Sequence, residues 1–213
     1  MAEWRIKPDY NDNLLRTVVV TSATGEPVTV AEMQRHMRLS TGSTVESAEI
    51  GAFITVARQL VEEWTNHKLM PQTIYAYYQD WPASDDQYLP HPPLRSIASS
   101  GIYYTGSSGN STTLSSTKWT VDAVSEPGRV TLEHDDDWPT ETLHPSNPVR
   151  YEMACGYSTK ATVPESFKLA IKLAASHYYE NRENVIASNV IPREIPMGVS
   201  AILRNYTNYS GMF

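Results

Sequence analysis

A single apolar stripe constrains this chain more than any other feature. Ile50, Phe53, Ile54, Ala57, Leu60, Val61 and Trp64 recur at steps of three or one residue, which places them on one side of a helix. Such a stripe runs about five turns, roughly 30 Å at 1.5 Å per residue. Its burial is worth on the order of 10–20 kcal/mol before chain entropy is charged against it. The helix must therefore pack on another element. Ser43 as N-cap and Glu46 three residues on give it a capping-box start. A shorter helix precedes it. Thr29 is the N-cap, Glu32 is the capping-box partner, and Val28 with Met33 forms a hydrophobic staple, so the spacing predicts a helix to about Leu39. Pro71 ends the helical section.

Between Pro71 and Lys160 the period changes from helix to strand. Thr73 to Trp81 alternates, with Ile74, Ala76 and Tyr78 on one face and Tyr75 and Tyr77 on the other. Further strand-like runs cover Ser96 to Thr105, Trp119 to Val124, Arg129 to Glu133 and Val149 to Ala154. Gly106 to Asn110 reads as a hairpin tip and Glu126-Pro127-Gly128 as a tight turn. Short strands at this spacing predict a small antiparallel sheet or sandwich. Residues 1–27 read as a polar arm in which Leu14 to Thr21 can form a strand.

Helix returns after Thr162, read as the N-cap of a third capping box with Glu165. Phe167, Ala170, Ile171, Ala174 and Tyr178 line one face of that helix, and Leu169, Leu173 and His177 line another. A helix apolar on two sides is covered either by its own domain or by a neighbouring subunit. Glu180 and Arg182 near its end can form local ion pairs or pair with a neighbour. A last short helix covers Gly198 to Tyr206. The expected fold class is α+β: a helical core of two N-terminal and two C-terminal helices with an inserted small antiparallel β domain. The segments are 1–27 as arm, 28–70 plus 161–206 as helical core, 71–160 as β insertion and 207–213 as tail.

Composition narrows the function classes. The formal charge is −7 over 213 residues, which argues against a grip on nucleic acid built by phosphate neutralisation. No apolar run is long enough for a membrane helix, and Met1 to Tyr10 lacks the apolar centre of a secretory signal. The one cysteine, Cys155, reads as a small buried hydrophobe. No two of the six histidines share the four-residue spacing that puts ligands on one helix face. His134 with Asp135, Asp136 and Asp137 forms the one local cluster of metal-binding character, read as a solvated loop, as are Asp85 and Asp86. No nucleophile elbow or phosphate loop is present. The expectation is a protein with no catalytic residues, cofactor or metal. Thirteen Tyr and five Trp against three Phe point to half-wet contact surfaces instead.

The order of the segments resembles the head–tail connector (adaptor) proteins of tailed bacteriophages, within the gp6-like and gp8-like connector families. The resemblance is carried by Val28 to Leu39, Ala57 to Thr73, Leu89 to Ile97, Val121 to Val130, Val149 to Tyr157, Val163 to Val185 and Ile195 to Tyr206. It implies a homo-oligomeric ring, usually of twelve copies, mounted under the portal protein of the virion. Such a ring extends the DNA channel, lets double-stranded DNA pass without specific binding, and links the head to a neck, stopper or tail protein. The protein would be made in the host cytoplasm and reside in the neck, without membrane contact.

Carried onto this chain, the portal-docking candidates are Ile195, Met197, Ile202, Leu203, Tyr206, Tyr209, Met212 and Phe213. The inter-subunit candidates are Leu169, Leu173, His177, Glu180 and Arg182, and Asp135, Asp136 and Asp137 are candidates for an acidic lumen. Competing readings are a stopper or tail-completion neck protein, a carbohydrate- or receptor-binding virion module using the Tyr-rich insertion, and a hydrolase using the acidic loop.

Overall fold

The apolar stripe lies on the helix that organises one of two units in the chain. The computed structural model describes residues 13–39, 44–181 and 197–206. Within these, one unit gathers 23–70 with 157–206 and the other gathers 13–22 with 71–156. The fold is α+β, with four helices and eight strands among the described residues.

The helical unit is built from α1 (Val30–His36), α2 (Thr44–Thr65), α3 (Glu165–Glu180) and α4 (Met197–Leu203). Ile50, Ile54, Ala57 and Val61 of the stripe are fully buried, and Phe53, Leu60 and Trp64 flank them half-buried. Their partners are Phe167, Ala170, Ile171, Ala174 and Ala175 of α3, with Val199 and Leu203 of α4. Residues from distant parts of the chain thus share one dry core, so α2 is held by packing rather than by helix propensity.

The first capping box is present in full. Glu32 N–H donates to Thr29 Oγ1 at 3.2 Å, and the Glu32 carboxylate accepts from Thr29 N–H at 2.7 Å. The helix stops three residues short of Leu39, at His36. Arg38 adopts φ 57°, and Leu39 N–H donates to Gln34 C=O while Arg38 N–H donates to Arg35 C=O. This left-handed closure satisfies the last carbonyls and turns the chain away. Ser43, the expected cap of α2, lies outside the described residues. The third capping box is corrected. Pro164 occupies the N-cap of α3, with no side-chain cap, and Thr162 Oγ1 donates to Thr159 C=O at 2.8 Å in its own turn.

The β unit holds a five-stranded and a three-stranded antiparallel sheet. The strands are β1 (Leu14–Thr21), β2 (Gln72–Tyr78), β3 (Asp86–Tyr88), β4 (Leu94–Thr105), β5 (Ser111–Thr113), β6 (Trp119–Asp122), β7 (Arg129–Leu132) and β8 (Val149–Cys155). The larger sheet runs β1-β2-β8-β4-β5 and the smaller β3-β7-β6. β8 pairs with β2 from Gln72↔Cys155 to Tyr78↔Val149 without a break. Its alternate residues Val149, Tyr151, Met153 and Cys155 are fully buried, with Ile74, Ala76 and Tyr78 of β2 beside them. Trp119 and Val130 of the smaller sheet, with Leu89 just after β3, join the same core. Burial pushes the phenols of Tyr78 and Tyr151 above the usual tyrosine range. Gly128 is required by contact, since a Cβ there would lie 2.6 Å from the Leu94 Cβ.

Two strands escape the periodicity reading. β3 and β5 are three residues each and carry no apolar alternation. Asp86, read as a loop charge, lies in β3. It accepts from Thr131 Oγ1 at 2.6 Å and pairs with Arg129 Nη1 at 3.2 Å.

Thr29→Ala should cost about 1 kcal/mol at neutral pH. Hydrogen bonds from the Thr29 backbone and side chain hold the Glu32 carboxyl below the usual glutamate range. That contribution is complete above the unfolded-state pKa and is lost as pH falls through the folded value. In urea titrations the gap between the two proteins should therefore narrow as pH falls below the usual glutamate range, without closing, because the Glu32 N–H to Thr29 Oγ1 bond does not titrate.

Candidate interaction surfaces

The helical unit is pinned by a buried ionic knot that spacing alone does not announce. Arg58 Nε donates to Glu26 at 2.8 Å and Nη1 to Glu62 at 3.1 Å, with the Arg58 and Glu62 side chains 9% and 5% exposed. Glu62 also accepts from Leu69 N–H at 3.0 Å and lies 3.7 Å from Lys68 Nζ. Thr55 Oγ1 donates to the second Glu26 oxygen at 2.9 Å. Desolvation works against the Arg58 charge, but the two carboxylates outweigh it and hold the guanidinium above the usual arginine range. The knot ties the segment before α1 and the turn after α2 to the middle of α2.

On α3 the two apolar sides fare differently. Phe167, Ala170, Ile171 and Ala174 are buried, and Tyr178 is half-buried. Leu169 is 44% exposed, Leu173 and His177 are half-buried, and Glu180 is exposed. Asn181 donates from Nδ2 to His177 C=O at 2.9 Å. Val56 on α2 is likewise open, at 47%. Arg182 lies outside the described residues. The helical unit therefore leaves Leu169 without cover from its own core.

The C-terminal candidates divide. Leu203 is 1% exposed and Ile202 packs half-buried against the core. The Tyr206 ring lies 4.4 Å from that of Phe167 and its hydroxyl donates to Ser166 Oγ at 3.4 Å. His67, 2% exposed, completes this aromatic group 5.5 Å from Phe167. Leu203 and Tyr206 thus anchor α4 within its own unit. Of Met197 only the backbone is described, and Ile195, Tyr209, Met212 and Phe213 lie outside the described residues.

In the β unit the outer face of the larger sheet carries a row of alternating arginine and tyrosine. Register places Arg16 beside Tyr77, Tyr77 beside Arg150 and Arg150 beside Tyr103. The Arg16 guanidinium lies 4.8 Å from the Tyr77 ring centre, and that of Arg150 lies 4.6 Å from Tyr75 and 4.1 Å from Tyr103. At the sheet edge β1 exposes Leu15, Val18, Val19 and Val20. These contacts hold the Tyr side chains that composition marked as sticky.

The acidic loop hangs from the smaller sheet. Asp136 pairs with Lys118 at 3.0 Å, whereas the Asp135 side chain is 86% exposed and Asp137 is exposed. Trp138 fixes the loop, stacking 4.9 Å from Trp81 and donating to Ser84 C=O at 2.9 Å. Among the described residues no three His, Cys, Asp or Glu side chains converge as a metal site, and no helix is long and apolar enough to cross a membrane.

A helical unit and a β unit of this kind have counterparts among solved structures. A chain from the neck of an empty gene transfer agent (GTA) particle, computed with C6 symmetry, superposes with a TM-score of 0.73 at 21% identity. The fold is that of a phage-like neck chain. The match covers 93% of this chain and 98% of the other, so the helical and β units are both included. A chain of the native gene transfer agent virion gives 0.71 at 21% identity, and one from the native neck with C12 symmetry gives 0.70 at 19%. Neither the family models nor the curated proteins give a match to the sequence.

The sequence reading missed Arg58 and Glu62. The available signal was two opposite charges four residues apart, each adjoining a stripe residue, Ala57 and Val61. Arg58→Ala should lower stability by about 3–5 kcal/mol, because it strands two carboxylates in a mostly buried site. Arg58→Lys should recover part of that loss in the same urea titration.

Proposed function

We propose that this protein is a structural head–tail connector of a phage or phage-like particle. In this reading it assembles as a ring beneath the portal, continues the DNA channel and joins the head to the neck or tail. The observation that carries it is the fold shared with gene transfer agent neck chains over nearly the whole of both chains. The sequence resemblance to gp6-like and gp8-like connectors is what favours the adaptor position within the neck.

The physical reading supports the same role. A ring with cyclic symmetry needs two different patches that meet from copy to copy. Exposed Leu169 and Val56, with Leu173, His177 and Glu180 beside them, supply apolar and polar surface for the helical contact. Met197 and residues 207–213 supply the portal-docking segment, with Leu203 and Tyr206 serving as its anchor. A charge of −7 per chain, repeated round a ring, weakens DNA adhesion to the wall. The role is mechanical and needs no catalytic group or cofactor. A glycan-binding reading of the Tyr-rich sheet is disfavoured because Arg16 and Arg150 sit over the Tyr77, Tyr75 and Tyr103 rings that a sugar would stack on.

Electron microscopy of the protein with its cognate portal should show a ring seated on the portal's tail-facing end. A chain that stays monomeric with and without portal, and is missing from particles, would overturn the proposal. Leu169→Lys should leave the melting temperature within a few degrees of wild type. The same substitution should abolish ring formation by sedimentation.

A further inference from the structure

The arginine–tyrosine row of the larger sheet has an unusual electrostatic state. Arg16 and Arg150 stack on tyrosine rings, and neither makes an ion pair among the described residues. Arg150 Nε is fully shielded from solvent and has no hydrogen-bond partner. In the same unit Arg129 meets Asp86 and Asp122, and Lys118 meets Asp136. Arg16 and Arg150 share this face with one carboxylate beside Tyr75, that of Glu152, so the row keeps an excess of positive charge that can take an anion. Stacking covers the faces of the guanidinium planes, and with Arg150 Nε shielded it is the terminal Nη groups that are left to bind.

The complementary group is on the page. Asp135 and Asp137 are exposed carboxylates on a loop clamped by the Trp138–Trp81 stack and the Lys118–Asp136 pair. The loop follows β7 of the smaller sheet, whereas the row lies on the face of the larger sheet turned away from their shared core. One copy therefore cannot close its own row with its own loop, but a second copy can.

We propose that the Arg16–Tyr77–Arg150–Tyr103 row binds the Asp135–Asp137 loop of a second copy of this chain, head to tail. The inference rests on the ring reading above and assigns these aspartates to the contact between copies rather than to the bore. A carboxylate loop is favoured over duplex DNA as the occupant. A phosphate track needs a longer run of cations than two.

The test uses the full chain and reads assembly by analytical ultracentrifugation with and without portal. Asp135→Lys with Asp137→Lys, on exposed loop positions that leave the fold intact, should cut ring yield at least tenfold. Arg16→Glu with Arg150→Glu should do the same, and combining all four substitutions should restore rings. Arg150→Lys, which keeps charge but loses the flat fork, should give an intermediate loss and guards against simple misfolding of the row. Rings formed at wild-type yield by the loop variant would overturn the contact while leaving the connector reading standing. Failure of the wild-type chain to assemble on portal would overturn both. A short DNA duplex whose binding is lost in Arg16→Glu/Arg150→Glu, with ring yield unchanged, would assign the row to phosphate and reject the proposal.

Discussion

Arg58 holds the helical unit to one arrangement. A guanidinium so little exposed is tolerated only because carboxylates from two sequence positions converge on it. Glu26 arrives from the segment that leads into α1, and Glu62 from one turn further along α2. Glu62 then accepts the Leu69 amide, so the chain leaving α2 is fixed by the same carboxylate. Hydrophobic burial supplies most of the stabilisation, but it is indifferent to small slides of one helix along another. The ionic knot is not, since a shift of a few ångströms would leave a desolvated charge unpaired. It fixes where the segment before α1 and the turn after α2 lie along α2.

The legible parts of the fold were those governed by periodicity or by local hydrogen-bond chemistry. The Ile50–Trp64 stripe and the alternation of β2 could be read directly, because each side chain's burial follows from a helix or strand period. The Thr29–Glu32 box was legible because both partners lie within one turn. Thr162 failed as a cap because an equally local competitor, the Thr159 carbonyl, took its hydroxyl. β3 and β5 were illegible for another reason. Their three residues pair through backbone groups, which every sequence possesses.

The interaction surfaces were less legible than the fold. Leu203 and Tyr206 read as a sticky segment because apolar residues near a chain end look the same whether they dock outward or inward. Only the position of Phe167, some forty residues upstream, decides that they turn inward. Arg16 and Arg150 lie more than a hundred residues apart, and their shared row exists only because β2 stands between them. Tyr75, Tyr77 and Tyr103 were correctly marked as half-wet, yet nothing in the sequence says that arginines cover them.

β8 carries a consequence for biosynthesis. It is the last made of the described strands, yet it occupies the centre of the larger sheet, between β2 and β4. While the ribosome is still upstream of Val149, β1 and β2 can pair only with each other, and the buried face of β2 has no completed core. The sheet therefore closes late, through contacts of high sequence separation, which folding reaches slowly. Because Arg150 is itself on β8, the row it completes comes into being only with that closure. On the contact proposed above, subunits would thus be unable to recognise one another before their own β unit has finished folding.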